Sequence, residues 1–320
     1  MRSKTSGIAA GLALALSLGV AAPAHADYPE KRITIVVPFE PGGAVDLLAR
    51  LVANGIKDRL GQPVIVENRG GAGAQIGANY VGQAAPDGYT LLFPTGSLAQ
   101  APYFPDSSLK FDPVKGYSHI IKAFSAPWYL YVNSSLPVKS VRDLVAYGRD
   151  NPGKLNIGTV GSDIQFHDFL AKIGNQWVIV PYKGQAPMLT ALAANSVQIA
   201  FSSFRTGKPN VDAGKARVIA VASPKRSAVT PELPTIAESG LFDGVIPDLW
   251  FGLSGPAGMP APVVTRLNRD VNAFLSEPAL RTRMSTDMYY EIIGGTPEEY
   301  VKGVIASMEI YKRLTEAGKK

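Results

Sequence analysis

The sequence predicts an α/β protein with mainly parallel sheets arranged in two lobes, and three observations support this class. Short apolar runs rich in β-branched residues alternate with longer segments whose apolar residues recur at helical spacing, a pattern typical of strands joined by helices. Several of the predicted strands end in loops of glycine or small hydroxyl residues, at the strand ends where such sheets bind ligands. The strand–helix order then repeats through the middle of the chain, which indicates a second lobe.

The first 26 residues are predicted to be a secretory signal peptide and not part of the fold. Arg2 and Lys4 form a basic start, Ile8 to Val20 is apolar, and Ala24-His25-Ala26 fits a small-x-small cleavage site. Cleavage before Asp27 would leave 320 − 26 = 294 residues. We therefore expect an exported protein.

The stretch from Ile33 to Arg50 organises the first lobe. Ile33 to Val37 predicts a buried strand, Pro41-Gly42-Gly43 a turn with uncovered backbone, and the leucines that follow a helix with one apolar face. A bare loop at a helix N-terminus presents amide N–H groups that favour an anion. The alternative is an ordinary tight β–α turn, which this stretch alone does not exclude.

Further strands and helices follow in alternation, and three bare or polar loops lie between them. A second loop spans Arg69 to Gly77; its glycines at 71, 73 and 77 miss the G-x-G-x-x-G spacing of dinucleotide sites, and no Walker lysine follows. The third is Thr95-Gly96-Ser97. Lobe 1 is predicted to comprise residues 27–124 plus 223–320, and lobe 2 residues 125–222. The predicted strands are Pro63–Asn68, Tyr89–Pro94, segments of Val114–Val132 broken at Pro127, Leu155–Gly158, Val178–Val180, Val197–Phe201, Arg217–Ala222, Leu249–Ser254 and Tyr289–Ile293; the predicted helices are one ending at Ala84, Val141–Asp150, Ile164–Ile173, Ala186–Ala193, and others starting after Pro209 and from Pro262, Ala279 and Pro297.

Composition excludes several classes of function. The chain has no cysteine, so disulfides, thiolate nucleophiles and thiolate metal sites are absent. Only His119 and His167 remain after processing, without carboxylates at ligand-like spacing, which argues against a metal site. No lysine–arginine stripe of the kind that binds nucleic acid is present. The sequence shows no catalytic set, although a triad with His167 as base could still assemble in space.

Nine motifs, in order through almost the whole mature chain, resemble the substrate-binding proteins of tripartite tricarboxylate transporters, also called Bug proteins. Any one of these motifs would be weak, whereas the ordered set is highly specific. They are Tyr28-Pro29-x-Lys31, Val37-Pro38-Phe39-x-Pro41-Gly42-Gly43-x-x-Asp46, Leu60-Gly61-Gln62-Pro63-Val64, Val66-Glu67-Asn68-Arg69-x-Gly71-Ala72-Gly73-x-x-Ile76-Gly77, Pro86-Asp87-Gly88-Tyr89-Thr90-Leu91-Leu92, Asn151-Pro152-Gly153-Lys154-Leu155, Val180-Pro181-Tyr182-Lys183-Gly184, Pro234-Thr235-x-Ala237-Glu238-x-Gly240 and Trp250-Phe251-Gly252-Leu253.

The resemblance implies a two-lobed periplasmic-binding-protein fold, similar to type II, that closes over a ligand. It places one ligand carboxylate against backbone amides of the first two loops, with hydroxyls from the third. No cofactor is implied, and the implied partners are a small organic carboxylate and the permease subunits of the transporter, with the receptor as a monomer. Carried over by motif, the lobe 1 contacts are Phe39, Gly42, Gly43, Gly73, Ala74, Gln75, Ile76, Thr95 and Ser97.

Lobe 2 departs from the family pattern, and these departures bear on the ligand. In the segment Gly161 to His167, Asp163 replaces a glycine and Ile164 a small hydroxyl residue, which makes this wall less polar; Ser162, Asp163 and His167 are the candidate contacts there. Ser203, Phe204 and Arg205, in a predicted loop after a strand, are further candidates, with Arg205 able to grip a second carboxylate or else simply solvated. Trp128 and Tyr129 are expected in the core, with a ring-stacking wall as the alternative.

The sequence therefore predicts a receptor for a dicarboxylate with an apolar or aromatic body. A benzene dicarboxylate such as terephthalate is the first candidate ligand, and a linear dicarboxylate such as adipate is the second. Two rivals stay open. The same fold serves sensory adaptors that report ligand state to a membrane kinase, and a periplasmic hydrolase could use an α/β scaffold.

Overall fold

The computed structural model of the protein contains two β-sheets, each flanked by helices. It describes residues 28–104, 106–160, 169–170, 177–223, 225–227, 229–242 and 246–317. The predicted signal peptide and most of the predicted helix Ile164–Ile173 lie outside the described residues.

A six-stranded sheet with its helices forms what we call lobe 1, and a five-stranded sheet with its helices forms lobe 2. In spatial order, the strands of lobe 1 are β11 (Glu291–Ile292), β4 (Tyr117–Ala126), β10 (Leu249–Pro256), β3 (Thr90–Leu92), β1 (Ile33–Val37) and β2 (Val64–Asn68). The strands of lobe 2 are β7 (Val178–Tyr182), β6 (Asn156–Val160), β8 (Ile199–Ser202), β5 (Trp128–Asn133) and β9 (Ala216–Ala222). The helices are α1 (Ala44–Leu60), α2 (Gln75–Gly82), α3 (Gly96–Gln100), α4 (Val141–Asp150), α5 (Gln185–Ala193), α6 (Phe204–Asp212), α7 (Ala261–Leu275), α8 (Pro278–Arg283) and α9 (Pro297–Ala317).

The chain crosses between the sheets at Pro127, from β4 to β5, and returns between β9 and β10. This division of the strands supports the predicted lobe limits, residues 27–124 plus 223–320 and residues 125–222, which we retain as a proposal.

The α/β prediction is confirmed, but the sheets are mixed rather than mainly parallel. Of the nine strand pairings in the part of the chain that the structure describes, four are parallel: β1 with β2 and β3, and β6 with β7 and β8. The strands next to the crossovers, β4, β5, β9 and β10, pair antiparallel. Alternation of strands and helices along a sequence does not reveal this, because strand direction depends on which neighbours pair in space.

Helix α1 shows how the sequence positions the first loop. Leu48, Val52, Ile56 and Leu60 recur at helical spacing and are each at most 4% exposed, so one face is buried against the sheet. Gly61 ends the helix in the left-handed conformation, with φ of 68°. At Gly55 a Cβ would overlap the ring of Phe274, so glycine lets α7 pack closely against α1. The N-terminus of α1 is thereby held at the carboxyl end of β1.

Three local predictions need correction. The helix expected after Pro209 begins at Phe204 and contains that proline as an interior residue, so the proline does not mark the start of the helix. Residues 203–205 are therefore the cap and first turn of a helix rather than a loop. The polar loop at Thr95 to Ser97 is the start of the short helix α3, and β11 spans only Glu291–Ile292. Among the described residues, no helix has the length and apolar character needed to cross a membrane.

Candidate binding cleft

A cleft between the two lobes receives the first turns of three helices. Its empty space, with the open mouth and the solvent there included, is about 670 Å³. We call this space the inner chamber. The described residues that line it are Phe39, Glu40, Pro41, Gly43, Ala44, Val45, Thr95, Gly96, Ser97, Gln100, Trp128, Val160, Gly184, Gln185, Ala186, Pro187, Asp248, Leu249, Phe251 and Tyr311.

The N-termini of α1 and α5 enter this chamber from opposite lobes. Each helix begins after a glycine, Gly43 and Gly184, and neither glycine has a side chain to cap the first turn. The first backbone N–H groups of a helix lack intrahelical partners, and the helix dipole adds partial positive charge at the same end. At the third helix, α3, Thr95 caps its own first turn by accepting from the Ser97 N–H at 3.2 Å. The chamber is therefore suited to an anion held by main-chain donors of both lobes.

A buried carboxylate holds the first bare loop in shape. Asp46, 4% exposed, accepts from the Gly42 N–H at 3.1 Å and from Arg50 at 3.1 Å and 3.0 Å. The Asn68 side-chain amide donates both to Asp46, at 3.0 Å, and to the Phe39 carbonyl, at 3.1 Å. Burial would raise the pKa of Asp46, but the hydrogen bonds from Arg50, Gly42 and Asn68 together lower it. This network fixes the loop between β1 and α1.

This network also separates the roles of the residues predicted in the first loop. Phe39 and Gly43 line the inner chamber, as does the neighbouring Glu40. Gly42 does not line it, and its N–H is engaged by Asp46. Gly42 instead provides the turn, because its φ of 86° lies in the region that favours glycine. Sequence patterns could not distinguish these two glycines.

The second bare loop lines an adjoining space, which we call the outer chamber. Its described lining is Phe39, Gly71, Ala72, Gly73, Ala74, Pro181, Tyr182 and Lys183, and its empty space with the mouth is about 520 Å³. Four consecutive residues, Gly71 to Ala74, have positive φ, which is unusual for Ala72 and Ala74. Phe39 lines both chambers, so the two spaces adjoin at that residue.

Gln75 and Ile76, the next two predicted contacts, line neither chamber. The Gln75 side chain is buried, and its Oε1 accepts from the Ser108 N–H at 2.6 Å, which anchors the following loop. Ile76 is 52% exposed and lies over Gly71. Thr95 and Ser97, in contrast, line the inner chamber as predicted from their loop position.

The candidate contacts predicted in lobe 2 line neither chamber where the structure describes them. Ser162, Asp163 and His167 lie outside the described residues. Ser203 is fully buried and its hydroxyl contacts Thr206 at 2.8 Å and Gln185 at 3.3 Å. Phe204 packs against Tyr129 and Tyr289, with ring centroids 5.0 Å and 4.6 Å apart.

Arg205 lies at the start of α6 and is absent from the described lining of both chambers. It lies near Tyr290, and its Nε is buried without a hydrogen-bond partner among the described residues. The predicted contact of Arg205 with a second ligand carboxylate therefore stays a prediction.

Of the two large aromatic residues at the start of β5, one faces the chamber. Trp128 lines it and is anchored by a hydrogen bond from Nε1 to the Pro247 carbonyl at 3.0 Å. Tyr129 is 1% exposed, and its hydroxyl contacts Thr230 at 3.1 Å, so it belongs to the core of lobe 2. With Phe39, Val160, Leu249 and Phe251, Trp128 gives the chamber a largely apolar wall.

Sequence reasoning missed the lobe 2 helix N-terminus and an acidic residue in the wall. The signal for α5 was present, since Gly184 precedes a helical pattern just as Gly43 does. Asp248 precedes β10 and lines the chamber; desolvation by the surrounding protein raises its pKa, while Lys122 opposes and Glu291 reinforces that shift. Among the described residues, no group of His, Asp or Glu is placed to hold a metal ion.

Comparison with known proteins decides the family. Residues 48–316 match the sequence pattern of the "Tripartite tricarboxylate transporter family receptor". This chain belongs to that family. The protein BugT of Bordetella pertussis is 31% identical over 296 residues, covering 90% of this chain and 89% of BugT.

Solved structures agree with this assignment. The Rhodopseudomonas palustris protein Rpa4515, solved with adipate, is 34% identical and superposes with a TM-score of 0.87, covering 92% of this receptor and 99% of that chain. MatC of the same organism, solved with bound malate, is 29% identical with a TM-score of 0.83, covering 90% and 100%. The predicted two-lobed periplasmic-binding-protein fold is confirmed. The receptor belongs to a family of solute-binding proteins and not of enzymes.

Proposed function

We propose that the protein is a periplasmic receptor that captures a dicarboxylate by closure of its two lobes and delivers it to the permease subunits of a tripartite tricarboxylate transporter. Residues 1–26 direct its export, and it acts as a monomer. The observation that carries the proposal is the meeting of the α1 and α5 N-termini, from opposite lobes, in one cleft. An anion that contacts both N-termini stabilises the closed arrangement, because it binds donors of both lobes at once.

The proposed lobe 1 contacts are the backbone at Phe39 and Gly43, with Thr95 and Ser97 beside them. Gly73 and Ala74 contribute through the outer chamber, where they form part of the wall. The N-terminus of α1 would bind the carboxylate group of the ligand, and the residues lining the rest of the cleft would determine the specificity for the ligand body.

The proposed ligand has an apolar body between its carboxylates. Trp128, Phe251, Leu249 and Val160 give the inner chamber an apolar part of its lining, which favours an apolar group of the ligand over a hydroxyl group placed against them. A family member solved with adipate supports a linear dicarboxylate, and the aromatic residues in the wall support a benzene dicarboxylate such as terephthalate.

A thermal-shift screen of the mature protein tests this proposal. Adipate, terephthalate, malate and citrate are compared with monocarboxylates and neutral sugars at matched ionic strength. A ligand present at a hundredfold its dissociation constant adds about 2.7 kcal/mol to the free energy of unfolding, which is a readily measured shift. We expect dicarboxylates with apolar bodies to give the largest shifts. Stabilisation by neutral sugars and by no carboxylate would overturn the proposal.

A further inference from the structure

The distribution of charge along the cleft indicates where a second anionic group can bind, and this inference rests on the proposed function. The inner chamber is lined by two acidic side chains, Glu40 and Asp248, and its described lining contains no lysine or arginine. Main-chain donors at the N-termini of α1 and α5 offset one carboxylate in this chamber, and the described lining offers no cationic side chain to a second. The second anionic end therefore needs a different environment.

Lys183 provides a cationic environment for the second anionic group of the ligand. It is the one lysine or arginine among the described residues that line either chamber, and it lies in the outer chamber opposite Gly71 to Ala74. Lys183 is exposed, and no ion pair joins it to a carboxylate of another described residue. Its ammonium group is thus available to an incoming ligand.

The position of Lys183 in the chain connects the two chambers. Gly184, the next residue, immediately precedes α5 and lines the inner chamber, and consecutive Cα atoms are about 3.8 Å apart. Gly184 also lies at the seam between lobes, where a Cβ built on it would come 3.9 Å from the Cβ of Glu40. A ligand whose first carboxylate lies at the α5 N-terminus, with its body along Phe39, is therefore within reach of the flexible Lys183 side chain.

We propose that Lys183 is the residue that selects a second carboxylate on the ligand. The first carboxylate lies at the N-termini of α1 and α5 in the inner chamber, the ligand body packs along Phe39, and the distal carboxylate pairs with Lys183 in the outer chamber. Lobe closure removes this pair from bulk water. The attraction between the two opposite charges is stronger in the closed cleft than at an open surface.

The test compares dicarboxylates with monocarboxylates that lack only the distal group. Calorimetric titration measures adipate against hexanoate and terephthalate against benzoate, for the unaltered protein and for Lys183→Gln, Lys183→Arg and Lys215→Gln. Lys215 is an exposed lysine of lobe 2 outside both chambers and serves as the matched control. We expect Lys183→Gln to weaken the preferred dicarboxylate about tenfold and its monocarboxylate less than twofold, with Lys183→Arg close to the unaltered protein.

Two other results would contradict the assignment. If Lys183→Gln weakens the dicarboxylate and the monocarboxylate equally, or changes neither, then Lys183 does not select the second carboxylate, although the receptor still binds dicarboxylates. If the unaltered protein binds no carboxylate, the proposed function fails and this assignment fails with it. The titration of the unaltered protein distinguishes these two failures.

Discussion

Replacement of Asp46 by Asn tests whether the carboxylate network shapes the first loop. One carboxylate oxygen accepts from Gly42 and Arg50, and the other from Asn68 and Arg50. An asparagine keeps one acceptor oxygen but turns a donor NH₂ group toward the other pair of donors. Two hydrogen bonds to a charged acceptor are then lost, at about 1.5–3 kcal/mol each before allowance for solvent. Because Arg50 is about half-exposed, we discount its share and expect a loss of about 2–3 kcal/mol in unfolding free energy.

The matched control is Asp212→Asn, which removes another i, i+4 ion pair, from Lys208 to Asp212, that is exposed. We expect that variant to lose at most about 1 kcal/mol. Urea unfolding and calorimetry measure the free energy of unfolding of both variants. Titration with a dicarboxylate measures their affinity for the ligand. We expect weaker binding for Asp46→Asn alone, because its first loop is less well fixed. The low pKa of Asp46 sets the pH dependence: its contribution is present above the ordinary value of 3.8 and is lost as the pH falls through the lower folded value. Equal stability of the two variants at pH 7 would refute this account of the loop.

Three further predictions follow from other residues. Trp128→Phe should remove most of the ligand-induced change in tryptophan fluorescence, because Trp177 and Trp250 do not line the inner chamber; an unchanged signal would place the ligand elsewhere. Arg205→Ala should leave dicarboxylate affinity within about twofold by titration, and a tenfold loss would restore the role predicted from sequence. Burial lowers the pKa of His119. The unfolded chain therefore takes up the proton first, so the contribution of neutral His119 to stability is present above about pH 6.5 and declines below it. Urea unfolding should show a smaller loss of stability between pH 7 and pH 5 for His119→Gln than for the unaltered protein.

The lobe 1 part of the cleft could be predicted from sequence because its signals are local. A β-branched strand, two glycines and an amphipathic helix place Gly43 at a helix N-terminus whatever the rest of the chain does. Thr95 and Ser97 were predicted only as a polar loop after a strand, and the short helix α3 that begins there was not predicted. What the local pattern could not show is that the Gly42 N–H is engaged by Asp46, since that depends on a side chain one helical turn later.

Lobe 2 could be predicted less well because its wall is assembled from distant segments. Pro209 suggested a helix start, so Arg205 was placed in a loop that could face the cleft, whereas it belongs to a helix that begins at Phe204. Trp128 and Tyr129 are neighbours in sequence, yet strand alternation sends one to the cleft and the other to the core. Which of the two faces the cleft depends on how the sheet is placed between the lobes, and composition does not determine this.

The central claim is that a ligand carboxylate lies at helix N-termini contributed by both lobes. The most direct test is a crystal structure of the mature protein grown with the dicarboxylate that gives the largest thermal shift. We expect carboxylate oxygens within about 3.2 Å of backbone N–H groups in the first turns of α1 and α5. A ligand bound elsewhere, or one whose carboxylates contact neither first turn, would contradict it.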